Sequence, residues 1–222
     1  TALMLAGLRE IAVITTPQDR DQFQRTLGDG SQWGVSLRYI VQPKPEGLAQ
    51  AFILGEAFLN GAPSAMVLGD NIFFGYGVVD FDAAGSARQI IEKPAIPPSN
   101  YAVTGLYFLD GSASARAKRV RPSARGELEI TSLLESYLQD DLLSVQKMGR
   151  GYAWLDTGTH ASLLDAGNFV RTLTERQGQQ VGSPDEVAFE MGWTSRNQLD
   201  GQAQQFCKNG YGAYLAGLTL EH

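Results

Sequence analysis

The sequence predicts an α/β fold: a doubly wound mixed sheet that passes into an antiparallel part and then into a small helical C-terminal part. Three observations carry this. Up to residue 74, short β-branched or apolar runs alternate with amphipathic ones, which implies parallel strands joined by right-handed helical crossovers. Between 77 and 109 the apolar runs are separated only by turns, so this part should pair in antiparallel or mixed fashion. Beyond residue 160 the pattern is mainly helical.

Taken in order, Thr1 to Gly7 read as the last turns of a helix that ends on a glycine. Residues 11–15 form a β-branched strand, and 17–27 a helix with acidic residues in its first turns, Phe23 and Leu27 facing inward and Gly28 as its stop. A strand at 37–42 leads into the stiff turn Pro43-Lys44-Pro45-Glu46-Gly47. A helix over 48–59 follows, with Leu48, Ala51, Phe52, Gly55, Phe58 and Leu59 on one face. The buried strand at 65–68 stops at Gly69, Asp70 and Asn71, because Asp and Asn are poor strand formers. Further strands are expected at 77–82, 87–92, 101–109 and 142–147, and a helix at 127–138 with Leu128, Leu134 and Leu138 on one side. A short apolar run at 152–155 ends at Asp156. The helix at 160–176 should turn Leu163, Leu164, Gly167, Val170 and Leu173 inward, and pieces at 184–191 and 209–218 complete a small bundle. The expected division is 1–75, 76–159 and 160–222.

With 222 residues, 43% of them hydrophobic and 19% charged, the chain has the composition of an ordinary globular protein. A net charge of -6 and a pI near 4.9 offer no basic patch to release counterions from nucleic acid, so no nucleic-acid partner is expected. An acidic protein that handles phosphorylated substrates needs a divalent cation instead. The single cysteine, Cys207, forbids an intrachain disulfide, fits a reducing, cytoplasmic setting and excludes a Cys/His metal cage. No run is long enough to span a membrane, so no membrane partner is expected.

Chemistry concentrates in three places. Asp70 ends an apolar strand where open α/β sheets place their ligands, which suits a metal carboxylate; it also fits a turn or helix-cap residue. Asp156, in Trp154-Leu155-Asp156-Thr157-Gly158-Thr159, repeats that arrangement, with an N-cap as its plainer reading. Two strand-end aspartates can share a hard cation such as Mg²⁺ through oxygen. Glu92-Lys93-Pro94 sets a carboxylate able to take sugar hydroxyls beside an ammonium able to hold phosphate; the alternative is a solvated ion pair before a proline turn.

Five motifs stand in one order: Gly47-Leu48-Ala49-Gln50-Ala51, Leu68-Gly69-Asp70-Asn71, Glu92-Lys93-Pro94, Gly126-Glu127-Leu128-Glu129-Ile130-Thr131 and Trp154-Leu155-Asp156-Thr157-Gly158-Thr159. In this the chain resembles the bacterial glucose-1-phosphate thymidylyltransferases, a family of sugar-nucleotide pyrophosphorylases, from Leu3 to about Leu215. The resemblance implies a Rossmann-like nucleotidyltransferase core with a nucleotide-binding part at 1–75, a sugar-binding part at 76–159 and a C-terminal region that serves assembly or regulation. It implies that Gln42 and Gly47 read the thymine edge with Leu48 packing nearby, and that Asp70 and Asp156 hold Mg²⁺. Asn71, Gly77, Glu92, Trp154, Thr104 and Tyr107 would line the sugar pocket, and Lys93 would hold the sugar phosphate. Asp70, Asp156 and Lys93 form the implied catalytic set. Glu127 and Glu129 read as helix N-terminal charge and positioning. Ser183, Glu186 and Val187 fall where the family forms a regulatory nucleotide pocket, and Ser183 reads equally as a helix N-cap before Pro184.

The implied reaction joins dTTP and glucose 1-phosphate into dTDP-glucose and pyrophosphate, in a homo-oligomer built as a dimer of dimers. The alternatives are a pyrophosphorylase for another nucleotide or sugar phosphate, and a non-catalytic nucleotide-sugar binding module. The family pattern also has a Gly-rich loop with an Arg and a following Lys, expected ahead of Thr1, and a helix and a strand expected between Gly75 and Tyr76. Neither stands in this sequence.

Overall fold

The computed structural model describes residues 1–74, 90, 92, 103–148 and 152–218. They divide into two compact units, one formed by Thr1–Tyr39 with Gly167–His222, the other by Ile40–Ala166. The first brings the early and late parts of the chain into one body.

In the first unit, α1 (Ala2–Leu5), β1 (Glu10–Thr15) and α2 (Arg20–Leu27) precede a single 3-10 turn at Ser31–Trp33 and β2 (Ser36–Val41), which pairs with β1. The helix opening the chain does end on a glycine in the left-handed region, Gly7 at φ 80°. Phe23 was expected inward, yet α2 has no buried residue and Phe23 is exposed, because no described element covers its apolar side. After the crossing helix α7 (His160–Gln177) come α8 (Pro184–Glu190), α9 (Arg196–Gln205) and α10 (Gly210–Gly217). Ser183 caps α8 by accepting from the Glu186 N–H, with Pro184 at the first position where no donor is needed. Ser195 and Gln198 close a reciprocal capping box on α9, a helix the sequence reading passed over because its face is mostly polar. Buried Asp185 ties the pieces together: it accepts from the Trp33 indole N–H at 3.1 Å and from the Tyr211 hydroxyl at 2.7 Å. Burial, and then the bond to Asp185, raise the Tyr211 hydroxyl well above the ordinary tyrosine range.

The second unit contains α3 (Gln50–Leu54), α4 (Glu56–Leu59), β3 (Ser64–Val67), β4 (Asn71–Phe74), β5 (Leu106–Leu109), α5 (Ala113–Ala117), α6 (Ile130–Gln139) and β6 (Ala153–Asp156). The single helix expected over 48–59 is two short ones, because Gly55 at its centre contributes no side chain and weakens helix continuity. Both ladders of known direction here are antiparallel: β3 with β5, and β4 with β6. Along β5 burial alternates, with Tyr107 and Leu109 in the core and Leu106 and Phe108 outside, the period of two that a half-covered sheet imposes. On α6 the buried residues Ile130, Leu133, Leu134 and Tyr137 recur at helical spacing and meet Ala49, Phe52, Ala113 and Ala117 in one core.

Two expectations fail for a common reason. Residues 142–147 form no strand, and Leu142 and Val145 are exposed, since no described strand supplies a ladder partner. On α7, Leu163 and Leu164 are exposed and the buried stripe begins only at Ala166 and continues at Leu173. The strands expected at 77–82 and, for most of its length, 87–92 lie outside the described residues. No helix among the described residues is long and apolar enough to cross a membrane.

Leu133 is fully buried in the second unit's core. Leu133→Ala is expected to lower stability by about 2–5 kcal/mol through lost transfer energy and the cavity left behind, read from urea unfolding of the purified chain.

Candidate active site

The candidate site is built within the second unit, and its centre is a pair of carboxylates. After β3 the Leu68 N–H donates to the Gly105 carbonyl at 3.1 Å, and the Asn71 N–H donates back to the Leu68 carbonyl at 3.3 Å. That tight turn carries Gly69 and Asp70, and the chain then re-enters a ladder as β4. Asn71 therefore opens a strand here instead of ending one. In the β4–β6 register Asn71 stands opposite Asp156, and Phe73 opposite Trp154. Asp70 and Asp156 thus lie at the same end of one antiparallel ladder. Thr157 extends the pairing by one step, donating its N–H at 2.8 Å and its hydroxyl at 2.9 Å to the Asp70 carbonyl.

Both carboxylates are exposed, and each is oriented through one oxygen only. Asp70 Oδ1 accepts from the Asn71 amide at 2.6 Å, and the Asn71 carbonyl oxygen in turn accepts from the Trp154 indole N–H at 2.5 Å. Asp156 Oδ1 accepts from the Gly158 N–H at 2.8 Å. In each, Oδ2 has no hydrogen bond among the described residues. Two exposed carboxylates with spare oxygens match the donor set of a hard, hydrated divalent cation that keeps waters and takes phosphate oxygens for its remaining positions. No group of three or more His, Cys, Asp or Glu side chains arranged for a metal occurs among the described residues.

A loop around Gly47 forms the second part. Gln42, just past β2, donates through Nε2 to the Gly47 carbonyl at 3.1 Å and to Gln50 Oε1 at 2.7 Å, while Gln50 donates to Glu46 Oε2 at 2.5 Å. Gly47 has a φ of 98°, inside the left-handed region that favours glycine. A Cβ at this position would lie 2.4 Å from the Leu128 carbonyl oxygen and 2.6 Å from its nitrogen. The approach is that close because the Leu128 N–H donates to the Glu46 carbonyl at 2.7 Å and the Ala49 N–H donates to the Leu128 carbonyl at 3.0 Å. Leu48 beside it is exposed.

The third part surrounds Glu92. Thr131 donates its hydroxyl to Glu92 Oε2 at 3.0 Å, and Arg125 Nη2 reaches Glu92 Oε1 at 3.1 Å and Glu129 Oε1 at 2.9 Å. Ser123 also donates to Glu129 Oε1, at 2.7 Å. Tyr107 belongs to the core by its ring, and burial followed by the charge of Glu92 pushes its hydroxyl up to about 12. Thr104 is partly exposed, and its hydroxyl meets the Met148 sulfur at 3.9 Å. Gly77 and Lys93 lie outside the described residues. Arg125 and Thr157 are the polar contacts that sequence reading missed. Arg125 was visible only as the last cation of the basic stretch Arg116, Lys118, Arg119 and Arg121, just ahead of the Gly126-Glu127 motif, and Thr157 only as a small residue after Asp156.

Ser183, Glu186 and Val187 belong to the first unit. Ser183 is buried at the cap of α8 and shares a 2.9 Å hydrogen bond with the Tyr211 hydroxyl, and Val187 packs with Met4, Val35 and Ala188. Glu186 accepts from the Tyr214 hydroxyl, and its burial raises the carboxyl above the ordinary range.

Comparison with known proteins gives the family of the chain. The Nucleotidyl transferase family pattern matches residues 1–76 and 73–172. A glucose-1-phosphate thymidylyltransferase of Xanthomonas campestris pv. campestris (strain B100) is 49% identical over 248 positions, covering 99% of this chain and 84% of that protein. The enzyme of that name from Mycobacterium tuberculosis (strain ATCC 25618 / H37Rv) is 46% identical over 246 positions, covering 98% and 85%. Because this chain has 222 residues, the Xanthomonas alignment holds at least 26 positions (248 less 222) without a counterpart here, and the family match breaks at residues 73–76, close to the junction of Gly75 and Tyr76. A solved structure from Bacillus anthracis, described as a glucose-1-phosphate thymidylyltransferase in complex with a sucrose, superposes with a TM-score of 0.68 at 32% identity, covering 82% of this chain and 83% of that one. A UDP-glucose pyrophosphorylase structure, 18% identical with a TM-score of 0.64 over 77% of this chain, shares the fold. With the family pattern matched over residues 1–76 and 73–172 and relatives 46–49% identical over nearly its whole length, the chain belongs to the nucleotidyl transferase family, among the glucose-1-phosphate thymidylyltransferases.

Proposed function

We propose that this chain transfers a thymidylyl group from dTTP to glucose 1-phosphate, releasing pyrophosphate and forming dTDP-glucose. The observation that carries the reading is that Asp156, opposite Asn71 in the register, and Asp70, in the turn just ahead of Asn71, stand at one end of the β4–β6 ladder, in the same unit as the Gly47 loop and Glu92. A phosphate oxygen of glucose 1-phosphate attacks the α-phosphorus of dTTP in line, a new P–O bond forms, the bond to the β-phosphate bridging oxygen breaks, and pyrophosphate leaves. No covalent enzyme intermediate is required. The protein's contribution is positioning and charge neutralisation.

In this reading Gln42 and Gly47, with Leu48 beside them, receive the thymine edge. Glu92 accepts sugar hydroxyls, with Asn71, Gly77, Thr104, Tyr107 and Trp154 around the same pocket, and Lys93 holds the attacking phosphate. Asp70 and Asp156 hold Mg²⁺, which when bound neutralises the nucleotide phosphates and draws charge from the α-phosphoryl group. Asn71 and Gly158 fix the rotamers of the two carboxylates, so that their free oxygens are presented without further rearrangement. The enzyme works in the cytoplasm as a homo-oligomer.

The test is a nucleotide panel at fixed glucose 1-phosphate, scored by pyrophosphate release. The kcat/KM for dTTP should exceed that for CTP, ATP and GTP by about tenfold or more, as expected of a site that reads a base edge by hydrogen bonds, and that for UTP by about tenfold through contacts to the 5-methyl group and the 2′ position, since thymine and uracil share one hydrogen-bonding edge. Equal rates with UTP and dTTP would sink the thymidylyl assignment. Binding of dTDP-glucose with no pyrophosphate released from any nucleotide would leave only a binding module.

A further inference from the structure

Two parts of the candidate site that are far apart in sequence are tied to the same short stretch, 123–131. On one side, both backbone groups of Leu128 are spent on the residues flanking Gly47: its N–H on the Glu46 carbonyl at 2.7 Å, and its carbonyl on the Ala49 N–H at 3.0 Å. On the other side, Thr131 and Arg125 each take one oxygen of Glu92, at 3.0 and 3.1 Å. The stretch itself is held in shape from within. The Ser123 N–H donates to the Glu127 carbonyl at 2.9 Å, the Gly126 N–H donates to the Ser123 carbonyl at 2.8 Å, and the Ser123 hydroxyl and Arg125 converge on Glu129 Oε1 at 2.7 and 2.9 Å.

Glu129 is the residue that this arrangement singles out. It is 6% exposed, and a carboxylate so deeply buried is stable only when paired and hydrogen-bonded. By its backbone it is the N-cap of α6, yet its side chain makes no capping hydrogen bond. It turns instead to Ser123 and to Arg125, the same guanidinium that reaches Glu92. Arg125 is thereby shared between a buried anchor and a carboxylate of the candidate site.

We propose that 123–131 is a brace that sets the base-reading loop and the sugar-reading carboxylate in one register, with Glu129 as the positioning residue that anchors it. The inference rests on the reading of Gln42 and Gly47 as the base site and of Glu92 as a sugar ligand. Glu129 touches neither substrate; it acts through Arg125 on Glu92 and through the chain to Leu128 on the Gly47 loop. A single side chain then tunes the binding of both substrates, which a residue serving only one subsite does not do.

The experiment measures KM for dTTP and for glucose 1-phosphate by pyrophosphate release, in the full chain, for Thr131→Val, Glu129→Gln, Glu92→Gln and the Glu92→Gln/Glu129→Gln double variant. Thr131→Val removes one hydrogen bond at nearly constant volume, so KM for glucose 1-phosphate should rise about two- to tenfold while that for dTTP stays put. Glu129→Gln should raise both. In the double variant, Glu129→Gln should add nothing to the sugar KM and still raise that of dTTP, because its path to the sugar runs through Glu92. Should Glu129→Gln fail to fold, Ser123→Ala, which removes the other hydrogen bond to Glu129, takes its place under the same criterion. A fall in melting temperature with neither KM shifted, or sugar effects that multiply in the double variant, overturns the brace while the proposed function stands. An unchanged KM for glucose 1-phosphate in Glu92→Gln overturns the assignment of Glu92 and the brace with it.

Discussion

Asp156→Asn is expected to lower kcat/KM for dTTP and glucose 1-phosphate by about 10²–10³-fold or more, the cost of removing one preorganised electrostatic group from a phosphoryl-transfer site. The fold should hardly notice. Asp156 is exposed, and its one hydrogen bond, from the Gly158 N–H to Oδ1, survives in the amide through the same oxygen. Stability should change by no more than about 0.5 kcal/mol, as for other surface substitutions. What the substitution removes is the negative charge at the end of β6, opposite the turn that carries Asp70. A second readout separates charge from chemistry: Mn²⁺ binding, followed by electron paramagnetic resonance in the absence of substrate, should weaken in Asp156→Asn as it does in Asp70→Asn. A large fall in melting temperature with turnover and Mn²⁺ binding intact would show that Asp156 is structural.

The parts legible in the sequence were those carried by local chemistry. β1, β2, β3, α6 and α8 follow from β-branched runs, helical periodicity and a Ser-Pro cap, and the structure places them within a few residues of expectation. The two aspartates were visible because an apolar run stopping at a carboxylate is a local pattern. What was not legible was pairing. Nothing in residues 71–74 says that Asn71 to Phe74 will form a strand against 153–156, since both runs are short and the contact joins segments about eighty residues apart. The Leu142–Lys147 reading failed in the opposite sense, because alternation alone cannot supply a neighbour for a strand. α9 was missed because its helical signal lies in a capping box and two buried residues, Leu199 and Ala203, on an otherwise polar face. Arg125 escaped for a related reason: its meaning comes from having two carboxylates within reach, one of them thirty-three residues away.

Gly47→Ala should have a large effect for a single added methyl group. Two costs combine there. The first is conformational: at φ 98° an L side chain is strained by about 1–3 kcal/mol. The second is steric, and it is set by backbone atoms that cannot swing away, since the new Cβ would stand 2.4 Å from the Leu128 carbonyl oxygen and 2.6 Å from its nitrogen. Relief requires moving the loop off Leu128, which breaks the Glu46 and Ala49 hydrogen bonds and displaces the Gly47 carbonyl that Gln42 holds, at about 0.5–1.5 kcal/mol for each bond lost. Gly61→Ala provides the comparison, because Gly61 also has a positive φ, 74°, with nothing within 4 Å of the added atom, so it reports strain without the clash. The expected result is a modest drop in melting temperature for Gly61→Ala with KM for dTTP unchanged. For Gly47→Ala a larger drop is expected, with KM for dTTP raised about tenfold, the consequence of disordering a loop that must be preorganised to read a base edge. Equal behaviour of the two variants would mean that the close approach to Leu128 serves no function beyond the turn, and the Gly47 loop would then lose its place in the nucleotide site.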